Sequence, residues 1–281
     1  QIRAIGSHGQ TLCHRPSAST PYTVQLVDNA RLAVRTGIAV VGDFRRADVA
    51  DGGQGAPLAS LLHQALFSHP QQRVGIVNIG GIANLTVLPA TQAHQQSSLL
   101  GFDTGPGNGL MDQWCLRHRG VSYDAHGAWA SAGRVDEANL AVLLAEPYFA
   151  LPPPKSTGRE SFNLQWLQQR IPGLEQLPPV DVQATLLELS ARSIAQACLE
   201  QSCDAIYLCG GGVHNRSLYK RLAALLERPM ASTTELGLDP DWVEASLFAW
   251  LAWRHCHALP SPLPSITGAR SARVLGAYWP A

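Results

Sequence analysis

The sequence predicts an α/β fold, and three observations carry that prediction. Short β-rich apolar runs alternate with stretches of helical periodicity, the pattern of strands separated by helices. Several of the apolar runs stop on glycines, as strands do where they enter a turn. The chain has 281 residues, 46% of them hydrophobic, enough to bury one large core or two smaller ones.

In chain order, "IRAIGSHG" and "GIAVVGDF" read as strands ending in turn residues. "RVGIVNIGGIANLTVL" reads as two strands, Val74–Ile79 and Leu85–Leu88, hinged on Gly80 and Gly81. "DAIYLCGGG" is a strand that stops on Gly210, Gly211 and Gly212. Helices fill the gaps. In "QATLLELSARSIAQACL", Leu186, Leu189, Ile194, Ala197 and Cys198 share one helical face, with Ser190 and Ser193 beside them. In "EASLFAWLAWRHC", Ala245, Phe248, Ala249, Ala252 and Trp253 form a stripe that Leu247, Trp250 and Leu251 widen, which predicts a helix buried nearly all round. Proline-rich pieces, "ALPPPKSTG" and "IPGLEQLPPVDV", punctuate the middle and place a boundary near Pro178. Residues 1–177 and 178–281 are then the two expected parts.

Charge and cysteine content narrow the function classes. Lys plus Arg and Asp plus Glu both number 21, so no bulk field favours nucleic acid or an anionic membrane. An anionic ligand must be held by local arrangements of amides and arginines. The six cysteines include no C-x-x-C pair, which argues against a zinc knuckle or redox motif, and most lie in apolar stretches, as in a reducing compartment. No apolar run approaches the span of a bilayer. The opening "QIRAIGSHGQ" has neither an initiator Met nor a signal-peptide profile and enters as if mid-domain, so a preceding segment is expected.

Several constellations can carry chemistry. "GFDTGPGNGLMDQW" sets Asp103 ahead of Gly105, Pro106 and Gly107, and Asn108 is placed to cap the helix through Met111 and Trp114. Asp103 reads equally as a turn acid and as a base held at a strand-to-helix junction. Glu244 opens an apolar helix, where it complements the helix dipole or pairs with Asp103 on a water or hydroxyl. "NIGGIANLT" offers Gly80, Gly81, Asn84 and Thr86 to a phosphate, or is a plain glycine hairpin. "LCGGGVHNRSLYKRL" aims bare amides and a helix capped by Asn215 at a ligand, without being a P-loop or a dinucleotide fingerprint; a packing turn is the alternative. "GDFRRADVADGGQGAPL" gathers Asp43, Arg45, Arg46 and Asp48 ahead of three glycines, suited to a forked grip on an anion or to a solvated loop. "PKSTGRESFN" clamps an anion through Lys155, Ser156, Thr157 and Arg159, or caps the helix that begins near Phe162. "SHGQT" supplies His8, Gln10 and Thr11, with no nucleophile to pair with the histidine.

Taken in order, "SHGQT", "DFRRAD…GGQGAPL", "NIGGIAN", "GFDTGPGN", "DAHGAWA", "PKSTGRESFN" and "CGGGVHN" resemble the anhydro-N-acetylmuramic acid kinases of bacterial cell-wall recycling, from Ile5 to the end of the chain. The resemblance implies a two-lobed actin-like ATPase (ribonuclease H-like) fold, with a sugar-binding lobe over 1–177 and a nucleotide-binding lobe over 178–281. It implies ATP, Mg²⁺ and water used to open the 1,6-anhydro ring and phosphorylate O6, in a cytoplasmic homodimer. Residue by residue, it makes Asp103 the base that activates the attacking water and Glu244 a neighbour of that water. Thr11, Arg45 and Arg46 fall to the sugar, Gly80, Gly81 and Asn84 to a phosphate loop, and Gly210, Gly211, Gly212 and Asn215 to the adenosine; no metal ligand is assigned. The family's first phosphate hairpin has no counterpart here, so an incomplete N-terminal lobe is expected. Ala47 stands where a further arginine is expected, and "GAPLASLLH" lacks an expected Val-Pro. Two other readings stand beside this one: a catalytically incompetent relative that binds sugar or nucleotide, and a glycoside hydrolase using Asp103 and Glu244 without ATP.

Overall fold

The computed structural model describes residues 2–92 and 98–281. It is a mixed α/β structure that divides by its internal contacts into two units, one of Gln1–Phe67, Ser98–Leu100 and Trp242–Ala281, the other of Ser68–Ser97 and Gly101–Asp241. The boundary expected near Pro178 therefore does not separate them. Pro178 lies inside the second unit, at the N-cap of its longest helix. The first unit is closed by both ends of the chain, which no single cut along the sequence can express.

The first unit opens with β1 (Ala4–Ser7), the hairpin β2 (Gln10–Arg15) and β3 (Tyr22–Leu26), α1 (Asn29–Thr36), β4 (Ala39–Gly42), α2 (Arg46–Ala50) and α3 (Ala59–Phe67). Strands β1 and β4 are the two runs read from the sequence, and they pair in parallel. All four β4 residues are buried, as an unbroken apolar run requires when a strand has neighbours on both edges. The hairpin reverses the usual alternation. Thr11, Thr23 and Gln25 hydrogen-bond one another on its covered side, while Leu12, Tyr22, Val24 and Leu26 are exposed.

The second unit contains β5 (Val74–Ile79), β6 (Ile82–Leu88), β7 (Leu100–Pro106), α4 (Gly109–Arg119), α5 (Glu137–Leu144), α6 (Pro147–Ala150), α7 (Leu164–Arg170), α8 (Pro179–Glu200), β8 (Ala205–Cys209), α9 (Arg216–Leu226) and β9 (Met230–Ser232). Its sheet runs β7-β6-β5-β8-β9, with β5 antiparallel to β6 and parallel to β8. The hinge at Gly80-Gly81 is where the sequence places it. The second strand of that hairpin begins three residues before the predicted Leu85.

The chain returns to the first unit with α10 (Val243–Cys256), α11 (Pro264–Thr267) and β10 (Ala277–Trp279), the last pairing antiparallel with β4. Helix α10 crosses β1 so closely that a Cβ on Gly6 would lie 2.0 Å from the Phe248 carbonyl oxygen, which only glycine permits. Helices α8 and α10 exchange their expected characters. In α8 burial extends well beyond the predicted face, because the helix packs against β6, α4, α5 and α9. In α10 only Val243, Leu247, Phe248, Leu251 and Ala252 are buried, while Ala245, Ala249 and Trp253 are exposed. Small and aromatic residues around a helix thus mimic all-round burial without requiring it.

Candidate active site

In the second unit Asp103 sits within β7, which continues past it through Gly105 to Pro106. The bend expected directly after Asp103 falls at Gly107 and Asn108. The segment Lys155–Thr157 runs alongside: the Asp103 N–H donates to the Lys155 carbonyl at 3.0 Å, and the Thr157 N–H donates to Asp103 Oδ2 at 2.9 Å. The Tyr148 hydroxyl donates to the Asp103 carbonyl at 2.7 Å. Lys155 Nζ donates to the carbonyls of Tyr148 and Phe149 at 3.2 and 3.0 Å. Phe149 in turn fills the space beside Gly105, whose φ of +141° and missing Cβ let the ring approach.

This packing changes the acid. Burial drives the Asp103 carboxyl up to about 6, against the opposing pull of the Thr157 amide. Burial and the Asp103 charge raise the Tyr148 hydroxyl, and burial lowers Lys155. Oδ1 of Asp103 carries no hydrogen bond among the described residues, leaving one carboxylate oxygen open to an incoming proton.

The glycines of the second unit sort by what they touch. The Gly107, Asn108 and Gly109 amides donate to the Gly81, Gly80 and Gly81 carbonyls at 3.0, 2.8 and 3.0 Å. The N-terminus of α4 is thus stitched to the β5–β6 hairpin, and a Cβ on Gly107 would lie 2.3 Å from the Gly80 oxygen. Asn108 occupies the N-cap position of α4 but makes no side-chain cap; its Nδ2 reaches the Ile79 carbonyl at 3.4 Å instead. That corrects its expected role. Gly210 and Gly212 are also packing positions, where a Cβ would meet Asn78 Oδ1 and Ile79 Cγ2 at 2.2 Å each. At Gly211 a Cβ would meet nothing within 4 Å. Asn215 does cap α9, through Oδ1 and the Leu218 N–H at 3.0 Å. Asn84 lies on β6 with a buried Oδ1 that has no hydrogen-bond partner among the described residues.

A cavity of about 640 Å³ opens beside these groups, lined among others by Asn108, Asp112, Tyr123, Gly211, His214 and Asn215. Burial lifts the Asp112 carboxyl to about 6; Arg159 acts in the opposite direction and Asp124 reinforces the rise. Among the described residues no group of three or more His, Cys, Asp or Glu side chains could hold a metal ion.

In the first unit Arg45 is pinned rather than solvated. Its Nε–H donates to His8 Nε2 at 2.8 Å and its Nη1–H to the Gly55 carbonyl at 2.6 Å. His8 must then be neutral with its proton on Nδ1. Burial, then the Arg45 charge, pull it down to about 4, and its ring stacks on Phe248 with centroids 4.5 Å apart. Burial lowers the Arg45 guanidinium, and the charges of Glu244, exposed in the first turn of α10, and of Asp48 oppose that fall. Asp48 is wrapped by its loop, accepting from the Gly55 N–H and the Thr267 hydroxyl at 2.6 Å each. Arg46 differs from Arg45. It is exposed and pairs with Asp43 at 3.4 Å, a surface contact worth little. Thr11 accepts from Gln25 Nε2 at 3.2 Å, and Ala47 lies half-buried in α2.

The structure therefore sets Glu244 within electrostatic reach of Arg45, which His8 holds, in one unit, and Asp103 beside Lys155 and Thr157 in the other. Tyr148 and Phe149 escaped the sequence reading. The polar segment "PKSTGRESFN" was the available signal, but its tie to Asp103 spans 54 residues and leaves no local pattern.

The whole chain, residues 1–281, matches the family model described as anhydro-N-acetylmuramic acid kinase. The chain belongs to the anhydro-N-acetylmuramic acid kinase family. A protein of that name from Coxiella burnetii (strain Dugway 5J108-111) is 52% identical over 282 residues, covering 99% of this chain and 75% of the relative. Another of that name from Xanthomonas oryzae pv. oryzae (strain MAFF 311018) is 52% identical over 284 residues, covering 100% of this chain and 74% of the relative. Among solved structures, the xylulose kinase from Rhodospirillum rubrum overlaps with a TM-score of 0.41 and 14% identity, over 73% of this chain and 44% of its own, too loosely to bear on the site. Membership of the kinase family makes the chain an anhydro-N-acetylmuramic acid kinase by relationship, and no described helix is long and apolar enough to cross a membrane.

Proposed function

We propose that this chain uses ATP and water to open the ring of 1,6-anhydro-N-acetylmuramic acid and phosphorylate O6, giving N-acetylmuramic acid 6-phosphate and ADP. The observation that carries the reading is Asp103: a desolvated carboxylate, fixed at one oxygen, open at the other and poised near neutral pH. In this reading it removes a proton from the water that attacks the anomeric carbon. The bond from that carbon to O6 breaks, O6 accepts the γ-phosphoryl group, ADP leaves, and Asp103 returns its proton to solvent. Thr157 and Tyr148 hold the base in place.

The roles of the remaining groups follow the resemblance. Thr11, Arg45, Arg46 and Glu244, all in the first unit, serve the sugar; of these Arg45 is the best prepared, because His8 and Gly55 fix its fork before any ligand arrives. Gly80, Gly81, Asn84, Gly210, Gly211, Gly212 and Asn215, all in the second unit, serve the nucleotide. Gly211 fits that role through its open backbone, and Gly210 and Gly212 by shaping the turn. Mg²⁺ enters as the nucleotide's counter-ion, held by phosphate oxygens and water with at most one or two carboxylates, because the described residues form no cage for it. The reading includes an actin-like fold, a homodimer, a cytoplasmic location and a place in cell-wall recycling. Six free cysteines, four of them buried, accord with a reducing compartment.

The test is ADP release from the chain with the anhydro sugar and MgATP, alongside controls lacking either one. ADP that depends on the sugar supports the kinase. Sugar opening without ATP points to the hydrolase reading, and binding without turnover to an incompetent relative.

A further inference from the structure

We propose that Arg159 binds the terminal phosphates of the nucleotide and stabilises the charge that moves with the transferred phosphoryl group. This rests on the kinase reading above, and three observations support it. First, its guanidinium lies against Gly81: a Cβ on that glycine would sit 2.6 Å from Nε, 2.7 Å from Nη2 and 2.9 Å from Cζ. Gly81 is not among the glycines with positive φ, so the missing Cβ serves the close approach of the guanidinium rather than a special backbone conformation. The tip of the β5–β6 hairpin thus has a cation lying against it.

Second, the cation has unused capacity. Among the described residues the Arg159 guanidinium makes no hydrogen bond and no ion pair, although it carries five N–H donors. The charge that feels it is Asp112, one of the residues lining the 640 Å³ cavity together with Gly211 and Asn215. Asp112 does not come within ion-pairing distance, so the fork is not consumed. Arg159 is exposed, as surface arginines ordinarily are; what sets it apart is that its guanidinium lies against a hairpin glycine and within electrostatic reach of the cavity-lining Asp112.

Third, Arg159 follows Thr157 by two residues, and the Thr157 N–H holds Asp103 at 2.9 Å. One short stretch of chain thus positions both the base and the cation. During transfer the bond from Pγ to the ADP oxygen breaks and the bond from Pγ to O6 forms. Arg159 exchanges no proton; it offers paired N–H groups to the non-bridging oxygens, which carry the charge in a loose transition state.

Arg159→Ala and Arg159→Lys, with the unaltered chain in parallel, test this. Turnover is measured with anhydro sugar and MgATP, and ATP and adenosine affinities by calorimetry. Arg159→Ala should lower kcat by about 10³-fold, the scale of a catalytic arginine in phosphoryl transfer. It should weaken ATP by roughly tenfold while leaving adenosine unchanged. Arg159→Lys keeps the charge but not the fork and should restore only part of the rate. Free guanidinium should raise the turnover of Arg159→Ala and not that of the unaltered chain. Turnover of Arg159→Ala equal to that of the unaltered chain overturns the proposal, as does parallel loss of ATP and adenosine affinity with no response to guanidinium, which makes Arg159 a packing strap. If the unaltered chain itself releases no ADP, the kinase reading fails, and the ATP-against-adenosine comparison still decides Arg159.

Discussion

Asp103→Asn should separate function from stability in opposite directions. The substitution is isosteric: the asparagine oxygen can still accept the Thr157 N–H, so no hydrogen bond is lost. What disappears is a charge that burial disfavours. Because folding lifts the carboxyl from 3.8 to about 6, the folded chain retains a proton over that interval that the unfolded chain has released. Stability must then fall as pH rises from about 4 to about 6, and stay lowered above it. At about 1.4 kcal/mol per pH unit the full effect is about 3 kcal/mol, an upper bound for a group that keeps some contact with solvent. Urea denaturation of both proteins at pH 4 and pH 8 measures it. The two should be nearly equal at pH 4, and Asp103→Asn should be more stable at pH 8, with the gap opening through pH 6. Turnover should vanish in the variant, and kcat/KM of the unaltered enzyme should rise with pH along a limb centred near 6. An identical stability difference at both pH values would refute the burial argument. An acid limb near 4, or a variant that turns over normally, would remove Asp103 as the base.

Two glycine substitutions distinguish ligand contact from packing. Gly211→Ala places a methyl group in open space, so thermal stability should stay within about 0.5 kcal/mol while KM for ATP rises several-fold; unchanged KM would detach Gly211 from the nucleotide. Gly107→Ala drives a Cβ to 2.3 Å from the Gly80 oxygen and should cost about 3 kcal/mol, read as a lowered urea midpoint; a stable variant would mean that the junction between α4 and the hairpin yields easily.

Strands were legible in the sequence because their apolar runs are short, β-branched and closed by glycine, so β1, β4, β5 and β8 fall where those runs do. What was not legible shares one physical cause: it depends on which surfaces meet. Helix α8 carries Glu188 and two serines, yet buries them because partners within the helix and on its neighbours answer them: Arg192 of the same helix and Arg221 of α9 both reach Glu188 at 2.6 Å, and Ser190 donates to the Gly107 carbonyl at 2.8 Å. Helix α10 carries tryptophans at solvent-facing positions because no neighbour in its unit covers them. Periodicity reports polarity, and polarity predicts burial only when partners are known. The same limit applied at the site. Asp103 was singled out, but its dependence on Tyr148 and on Lys155–Thr157 runs through contacts between segments about fifty residues apart, where no motif could record it.

Glycine motifs are the instructive case, because they looked most like ligand loops. Of the eight glycines grouped in "NIGGIAN", "GFDTGPGN" and "CGGGVHN", four are accounted for by the protein itself: Gly105 admits Phe149, Gly107 admits the Gly80 carbonyl, and Gly210 and Gly212 admit the end of β5. A glycine that is needed for packing says nothing of a ligand, however close to one it lies. The argument for a phosphate site therefore cannot rest on glycine content. What remains is Gly211, where a Cβ would meet nothing within 4 Å among the described residues, and Gly81, against which lies a guanidinium with no partner among those residues. Gly211 lines the cavity that also contains Asp112 and Asn215, and Asp112 feels the charge of the arginine that lies on Gly81. The charge that would meet an anion there comes from "PKSTGRESFN", the segment that also holds the base.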